Sequence, residues 1–396
     1  MGVRVAIVCL SDRWSGPSRT AHALTRAGAE VCIVAPPGSF AAKTKFKFAD
    51  LLLPARDIKK NLPEIFRLLA DEFQSHSVLA GDDPTFAAFA EFLSSDKLKT
   101  TSTAAQGMLA RSMPDAQTAA LLATDSEFIL AQCDSPACPA PRTIRAPSPD
   151  EALQFAREIG FPVVVKRDGF ASGLGVSVCP DAETLRAAIA RAADQRFVLQ
   201  EFIKGAVYGA TVSGVKGRAM AAIAFEKHRL ATTNGATSVA RFDPRPDIIA
   251  HARGLFERYG LNGYAGFDYM IDQSDRARII EINPRIMPTG HFDECFGVDL
   301  TGAFLAGVAG APAPVFHEPL NRFVALFPNE WMRDPDSNFL RTAIHDVPWH
   351  DPAVLAAMID KALAMRMKTE PEPFGDADRV AMLHGRAVAR PALFGE

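Results

Sequence analysis

The segment GYAGFDYMIDQSDRARIIEINPR, at residues 263–285, has the pattern of a β-hairpin. Two apolar runs, 263–271 and 277–282, flank the polar turn DQSDR at 272–276. Short runs rich in aromatic and β-branched residues on either side of a polar turn are typical of paired antiparallel strands. We therefore predict two adjacent strands, the second of which leads directly into the sequence NPR.

Two carboxylates and a carboxamide are expected on one face of this hairpin. Because side chains alternate along a strand, Asp268 and Glu281 can share a face, and Asn283 follows Glu281 by two residues. These oxygen donors suit Mg²⁺, which also keeps phosphate oxygens in its shell. The alternative is an ordinary exposed acid, but a lone carboxylate in so apolar a strand would be costly. We predict a magnesium site, with Arg285 beside it as a planar donor to an anion.

A lysine followed by a glycine-bearing loop forms a second candidate site. The predicted strand FPVVVK at 161–166 ends in Lys166, and the loop RDGFASGLG follows at 167–175. Its glycines are Gly169, Gly173 and Gly175. Glycines let backbone N–H groups approach an anion closely, and the lysine adds a positive charge. The loop is a candidate phosphate-binding lid, with a plain β-turn as the alternative.

The residues before this region predict an open parallel sheet. Apolar runs at 3–10 and 31–35, with a helical stretch at 18–27 between them, form a βαβ pattern that continues to residue 93. Such sheets bind ligands beyond the carboxyl ends of their strands. The first strand-to-helix loop, with Trp14 and Ser15, is therefore a candidate ligand contact, although an ordinary turn explains it as well.

The composition is that of a globular protein of two to three domains. The 396 residues carry 43 Lys and Arg against 46 Asp and Glu, a net charge of -3, with 22% charged and 48% hydrophobic residues. These values exclude a disordered chain and a nucleic-acid binder that relies on bulk positive charge. The six cysteines have no zinc or disulfide spacing, and we find no membrane-spanning apolar run and no signal-peptide pattern. We expect a cytoplasmic protein without membrane or nucleic-acid partners.

In their order along the chain, these segments resemble the ATP-grasp superfamily of the carboxylate-amine ligase type. The resemblance covers about residues 148–310. It rests on the strand that ends in Lys166 with its glycine loop, on the sequence QEF at 200–202 before Gly205, and on EINPR at 281–285. It implies an α/β fold class: an N-terminal open parallel sheet of the Rossmann-like, pre-ATP-grasp type and a two-lobed α+β ATP-grasp fold.

The resemblance also divides the chain into five parts. These are an N-terminal α/β domain (1–103), a helical connector and Pro-rich linker (104–147), a small ATP-grasp lid subdomain (148–205), a large ATP-grasp subdomain with the metal site (206–310) and a C-terminal extension that packs on the large lobe (311–396). The extension shows no sign of chemistry. A cap, a packing arm and a homodimer contact are its open interpretations.

By resemblance, the site binds ATP together with one or two Mg²⁺ ions, or Mn²⁺. The implied ATP-binding residues are Lys166, Gly169, Ser172, Gly173, Gly175, Glu201, Phe202, Ile203, Met270 and Ile280. The implied metal ligands are Asp268, Glu281 and Asn283. Lys166 would hold the ATP phosphates and Arg285 would neutralise an acyl phosphate, so these two are the implied catalytic residues. For Met270 and Ile280, ordinary core packing is an equally good interpretation.

The implied reaction is an ADP-forming ligation. A small-molecule carboxylate attacks the γ-phosphate of ATP, and an amine then displaces the phosphate of the resulting acyl phosphate. One alternative is a catalytically weakened or inactive nucleotide-binding protein that acts as a sensor or partner subunit. It is suggested by Ser126 and Ala206, which stand where many members carry a phosphate-binding lysine and a ribose-binding acid. A bicarbonate or thiol acceptor is a further alternative.

Three more residues are candidates for contact with the substrate. Arg229 and Arg241 lie in the segment 225–242, which we interpret as a loop that faces the substrate. A solvated surface position is the alternative for both. His291 is a candidate for the acceptor pocket, with a hydrogen-bonded structural histidine as the alternative.

Overall fold

The computed structural model describes residues 2–124, 135, 138–167, 175–192, 195–232, 235–313, 317 and 322–369, which form three β-sheets with helices packed around them. No helix within these ranges is both long and apolar enough to cross a membrane. The predictions for Ser126 and for most of the glycine loop fall outside them.

The first sheet is parallel and lies near the N-terminus. Its strands are β1 (Arg4–Val8), β2 (Glu30–Ala35), β3 (Ala49–Leu52) and β4 (Ser77–Ala80), in the order β3-β2-β1-β4. The helices of this region are α1 (Gly16–Arg26), α2 (Phe40–Lys43), α3 (Ala55–Lys60), α4 (Leu62–Arg67) with a π-helical turn at Leu68–Glu72, α5 (Asp83–Leu93), α6 (Lys97–Thr100), α7 (Thr103–Ser112) and α8 (Ala116–Thr124). Alternate residues of β1 pack into two different apolar clusters, as in sheets covered on both faces.

The second sheet is a small antiparallel one, which we call the lid sheet. Its strands are β5 (Thr143–Arg145), β6 (Val163–Arg167), β7 (Val176–Cys179) and β8 (Phe197–Glu201), in the order β5-β8-β6-β7. Helices α9 (Pro149–Ile159) and α10 (Ala182–Ala192) cover it and share an apolar cluster with it. Helix α9 begins with a capping box in which the Ser148 hydroxyl and the Glu151 carboxylate each bond the other residue's backbone N–H.

The third and largest sheet has seven strands, which we call the large sheet. They are β9 (Ala206–Val215), β10 (Arg218–Leu230), β11 (Thr237–Phe242), β12 (Gly263–Ile271), β13 (Ala277–Asn283), β14 (Phe323–Leu326) and β15 (Ile344–Asp346), in the order β13-β12-β9-β10-β11-β14-β15. All neighbours are antiparallel except the pair β14 and β15. The remaining helices are α11 (Pro246–Arg258), α12 (Asp293–Phe296), α13 (Leu300–Ala309), α14 (Asn329–Arg333), α15 (Phe339–Thr342) and α16 (Pro352–Thr369).

These sheets confirm the predicted fold class and the predicted hairpin. The N-terminal sheet is parallel and open, and two further α+β units follow it. The prediction of a loop at 225–242 was wrong. Strand β10 continues to Leu230 and β11 begins at Thr237, so most of this segment is a strand pair.

The N-terminal sheet and the large sheet pack directly against each other. Val5 and Ile7 of β1 share one apolar cluster with Phe225 of β10 and Phe304 of α13. All four side chains are at most 3% exposed. This shared core holds the loop after β1 in a set position relative to the large sheet.

Gly205 connects the lid sheet to the large sheet at a very close backbone approach. A Cβ at this position would lie 1.7 Å from the carbonyl oxygen of Ile271, at the end of β12. A larger residue would therefore push β8 and the residues after it away from the large sheet.

We expect Gly205→Ala to destabilise the protein by about 1–3 kcal/mol, the usual cost of overpacking. The measurement is urea denaturation. Gly254→Ala is the matched control, since a Cβ on Gly254 in α11 meets nothing within 4 Å. Alanine is the better helix former there, by about 1 kcal/mol. Equal effects of the two substitutions would contradict the close approach.

Candidate functional site

A cavity of about 620 Å³ lies between the sheets. Its wall includes the loop after β1, the lid sheet, the segment after β8, the large sheet, the segment after β13 and helix α16. The predicted site residues in this wall are Lys166, Gly175, Glu201, Phe202, Ile203, Asp268, Met270, Ile280, Glu281, Asn283, Arg285 and His291. Gly169, Ser172 and Gly173 lie outside the described residues. The cavity thus brings together predictions from segments far apart in sequence.

A β-bulge in the hairpin turns two consecutive residues toward this cavity. Asp268 pairs with Glu281 and the next residue, Tyr269, pairs with Ile279, so Ile280 is an extra residue on β13. As a result both Ile280 and Glu281 line the cavity, where strict alternation would expose only one of them. The carbonyl oxygen of Ile280 accepts a hydrogen bond of 2.7 Å from Lys166 Nζ. The bulge therefore joins the lid sheet to the large sheet across the cavity.

The segment after β8 is held by the side chain of Glu201. Its Oε2 accepts hydrogen bonds from Arg278 Nη2 at 3.0 Å and from the backbone N–H of Arg142 at 3.0 Å. Arg278 also donates from Nε to the carbonyl oxygen of Pro139 at 2.8 Å. These contacts tie the linker, β8 and β13 together and leave Phe202 in the cavity wall.

The two carboxylates of the hairpin lie directly opposite each other. Asp268 and Glu281 are partners in the β12–β13 register, so their side chains leave the same face of adjacent strands. Asn283 also lines the cavity and is 5% exposed. Among the described residues, no group of three or more His, Cys, Asp or Glu is placed to hold a metal. The oxygen donors here are instead two carboxylates and an amide.

Lys227 of β10 is a site residue that the sequence analysis did not select. Its Nζ donates to Asp268 Oδ2 at 2.5 Å, and the two side chains are 17% and 11% exposed. Phe225, two residues earlier, also lines the cavity, whereas Glu226 does not. The alternation of a strand would have pointed to Lys227, but the interpretation of this segment as a loop concealed it.

Arg229 and Arg241, which we expected near the substrate, are not in the described cavity wall. Arg241 pairs with Glu226 and Asp243. Arg229 is exposed, and its guanidinium lies 5.8 Å from the ring centre of Phe339. Both arginines therefore have contacts outside the described cavity wall, Arg241 with acidic residues at the strand pair and Arg229 with Phe339 of α15.

Arg285 is 7% exposed and is held in place by contacts from three directions. Its Nε donates to Asp83 Oδ1 at 2.9 Å, and its Nη2 donates to Asn283 Oδ1 at 2.9 Å. The ring of Trp14, in the loop after β1, lies over the guanidinium with 4.7 Å between the guanidinium carbon and the ring centre. The first strand-to-helix loop thus reaches the EINPR motif.

His291 belongs to a largely buried cluster with Arg19 of α1 and Asp346 of β15, whose side chains are 11–12% exposed. His291 Nε2 lies 2.9 Å from Asp346 Oδ1 and 3.3 Å from Arg19 Nε, and Arg19 also pairs directly with Asp346. All three residues line the cavity. His291 Nδ1 is buried and has no hydrogen-bond partner among the described residues.

Burial and charge set the protonation of this cluster. Burial lowers the pKa of His291, which keeps the imidazole neutral at pH 7. Burial alone would raise the pKa of Asp346, but Arg19 and His291 more than offset it, so this pKa lies below its usual range. The cluster is therefore an ion pair between Arg19 and Asp346 with a neutral histidine beside it.

We expect Asp346→Asn to destabilise the protein by about 3–5 kcal/mol at pH 7, because it leaves the Arg19 charge buried without a partner. Urea denaturation measures the change. Since the pKa of Asp346 is depressed, this stabilisation is present at neutral pH and is lost only as the pH falls below about 4.

The control for this prediction removes an aspartate charge from a solvent-exposed ion pair. Asp96, 93% exposed, pairs with Lys99, so Asp96→Asn should change stability by less than about 1 kcal/mol. Similar losses of stability in the two variants would show that the Arg19–Asp346 pair stabilises the protein no more than an exposed ion pair does.

Comparison with known proteins places these residues in a family. Residues 136–289 match the family described as the ATP-grasp domain. Phosphoribosylamine–glycine ligase from Salmonella typhimurium is 30% identical over 164 residues, which are 34% of this chain and 38% of that protein. The match thus spans less than half the length of that relative.

Two solved structures share the fold. The biotin carboxylase domain of 2-oxoglutarate carboxylase from Hydrogenobacter thermophilus, in complex with MgADP, ADP and bicarbonate, superposes with a TM-score of 0.60 at 15% identity over 80% of this chain and 73% of that one. N5-carboxyaminoimidazole synthetase from Staphylococcus aureus, complexed with ADP, superposes with a TM-score of 0.59 at 15% identity. The match covers 81% of this chain and 80% of that one. The family match over residues 136–289 and the shared fold confirm the resemblance seen in the sequence: this part of the chain is similar to the ATP-grasp domain.

Proposed function

We propose that this protein is an ATP-dependent, ADP-forming ligase that couples a carboxylate to an amine. The observation that carries the proposal is the presence of Lys166, Asp268, Glu281, Asn283 and Arg285 in the wall of one cavity. The names of its relatives, phosphoribosylamine–glycine ligase among them, agree with such chemistry.

The nucleotide would bind where the lid sheet meets the large sheet. Met270 and Ile280 supply an apolar surface there, and Phe202 and Ile203 lie on the segment between the two sheets. Lys166 lies at the same place, with its ammonium bonded to the carbonyl oxygen of Ile280. An ammonium that already bridges the two sheets is well placed to bind phosphate oxygens when the cavity closes around a nucleotide.

The donor set fits Mg²⁺. Asp268 and Glu281 bring two negative charges to opposed positions, and Asn283 adds an amide oxygen, a ligand set that suits a hard cation. Asp268 already pairs with the Lys227 ammonium, so this position attracts a cation. When bound, Mg²⁺ would neutralise the charge of the ATP phosphates and help to align the γ-phosphate for transfer.

In the first step, an oxygen of the substrate carboxylate attacks the γ-phosphorus of ATP. The bond between this phosphorus and the β–γ bridging oxygen breaks, and ADP leaves with that electron pair. Lys166 neutralises charge on the phosphates, and Arg285, buried and fixed by Asp83, does so at the acyl phosphate. The barrier to phosphoryl transfer is lowered chiefly by such positioning and charge neutralisation.

In the second step, the amine nitrogen attacks the carbonyl carbon of the acyl phosphate. The C–O bond to phosphate breaks, inorganic phosphate leaves and the nitrogen loses a proton. Water must be excluded meanwhile, because it would hydrolyse the acyl phosphate.

We expect Glu281→Gln to lower the rate of ADP release at least about 100-fold, since it removes one charge from the electrostatic stabilisation of phosphoryl transfer. ADP release is measured with Mg-ATP against a panel of small carboxylates with amines. Glu257→Gln, on the exposed side of α11, is the control and should keep the wild-type rate.

Thermal unfolding of Glu281→Gln should stay close to that of the wild type. Wild-type rates in this variant would contradict the metal site. A wild type that binds ATP but releases no ADP with any pair of the panel would support the alternative of an inactive nucleotide-binding protein.

We also expect Lys227→Gln to make the protein depend on the metal for stability. Without the ammonium, Asp268 is left as a buried, unpaired carboxylate, at a cost of about 3–5 kcal/mol. Addition of MgADP should therefore raise the melting temperature of this variant more than that of the wild type. The double variant Lys227→Gln with Asp268→Asn removes both charges. Its melting temperature should not show the additional rise with MgADP. Equal MgADP shifts in all three proteins would contradict a metal at Asp268.

A further inference from the structure

The cavity extends beyond the proposed metal ligands to a part of the wall that the nucleotide chemistry does not use. We call it the distal pocket and define it by Trp14, Arg19, Phe327, Met358, Lys361 and Met365. It combines the loop after β1 with helix α16, which are at opposite ends of the described chain.

Helix α16 presents one regular stripe to the distal pocket. Met358, Lys361, Ala362 and Met365 line the cavity, at relative positions 0, 3, 4 and 7, which lie on one face of an α-helix. Three of these side chains are apolar, and the fourth is a cation. Such a surface suits a ligand that is itself amphipathic.

Lys361 is a half-buried cation without a carboxylate partner among the described residues. Its Nζ donates to the carbonyl oxygen of Arg13 at 2.9 Å, a neutral acceptor. Burial, together with Arg13 nearby, lowers the pKa of Lys361, and the charge of Asp12 offsets only part of this effect. An ammonium has three donors, and within the described ranges only one of them has an acceptor, so an anion could bind the others and would also relieve the cost of burying the charge.

The charges around the distal pocket also favour an anion. Arg13, Arg19, Arg285 and Lys361 line this side of the cavity with Asp346. The pairing carboxylates of Arg13 and Arg285, Asp12 and Asp83, are 63% and 49% exposed and do not line the cavity. Exposed partners are weakened by solvent screening, so the wall keeps a positive balance.

The apolar side of the distal pocket is preformed. Met358 is 2% exposed and packs in a cluster with Phe40, Val354 and Phe327. Met365 is 40% exposed although it lines the cavity. An exposed methionine on a cavity wall offers an adaptable surface for an apolar group.

From these contacts we infer that the distal pocket binds an amino acid with an apolar side chain, its carboxylate paired with Lys361 and its side chain packed on Met358 and Met365. The inference rests on the proposed ligase function. Arg285 serves the carboxylate that is activated, so a carboxylate at Lys361 belongs to the other substrate. The amino group of that substrate is the nucleophile, and the bonds made and broken are those of the second step above.

Isothermal titration calorimetry of small probes with the full chain in the presence of MgADP tests this inference. The probes are L-phenylalanine, L-leucine, L-glutamate and phenethylamine, which lacks the carboxylate. We expect the two apolar amino acids to bind at least about 10-fold more tightly than phenethylamine, because a charge-assisted contact to a carboxylate is worth about that factor. They should also bind more tightly than L-glutamate, whose charged side chain would have to lose water against Met358 and Met365. Equal binding of L-phenylalanine and phenethylamine, or no binding of either apolar amino acid, overturns the inference.

Variants of α16 separate charge from apolar contact. Lys361→Met should weaken L-phenylalanine binding about 10-fold and abolish the preference over phenethylamine, whereas Lys361→Arg should keep both. Lys99→Met, an exposed lysine outside the cavity, is the control and should bind as the wild type does.

Met365→Glu, at a partly exposed position, should weaken L-phenylalanine binding while thermal unfolding is unchanged. Leu121→Glu, 43% exposed on α8, is its matched control. Wild-type binding by both Lys361→Met and Met365→Glu overturns the inference.

ADP release with Mg-ATP then distinguishes the inference from the function on which it rests. Binding that depends on Lys361 without ADP release for any carboxylate supports the distal pocket and contradicts the ligase. ADP release that needs a carboxylate and an amine but is indifferent to Lys361→Met supports the ligase and overturns the distal pocket.

Discussion

The opposition of Asp268 and Glu281 on β12 and β13 is the constraint around which the site is organised. Two carboxylates directly across a strand pair repel each other, and Asp268 is only 8% exposed, so a cation is required nearby. Lys227 of the next-but-one strand, β10, supplies that cation in this structure. The requirement is a cost to folding, and it is the reason why we propose that a metal ion binds here in exchange for the lysine.

The lid sheet and the N-terminal loop are joined to the large sheet by contacts of the same hairpin. Lys166 bonds the carbonyl oxygen of the bulged residue Ile280, and Arg278 bonds Glu201 at the end of β8. Arg285, just after β13, bonds Asp83 and lies under Trp14. A ligand that enters the cavity therefore meets several groups whose positions depend on β13. In this way one strand pair couples the two proposed halves of the reaction, phosphoryl transfer and attack by the amine.

The sequence analysis identified the hairpin, the linker and the parallel sheet, because each has a local pattern. It failed at 225–242, where the position of the segment between the nucleotide and metal motifs suggested a loop, although β10 continues to Leu230 and carries Lys227 into the cavity. The stripe of helix α16 from Met358 to Met365 could not be assigned a role from the sequence, because its role depends on the surface opposite it. Arg229 and Arg241 were selected for their charge, yet charge alone does not distinguish a ligand contact from pairing within a sheet.

Local sequence by itself determined the alternating strands, the capped helix after the linker and the identity of the oxygen donors, because these depend on neighbours within a few residues. Only the tertiary structure decided the bulge at Ile280, the pairing of Lys227 with Asp268 and the meeting of Arg19, His291 and Asp346. Each of these contacts joins residues from different strands or helices, and their burial, which sets the strength of the charges, exists only once the three sheets have packed together.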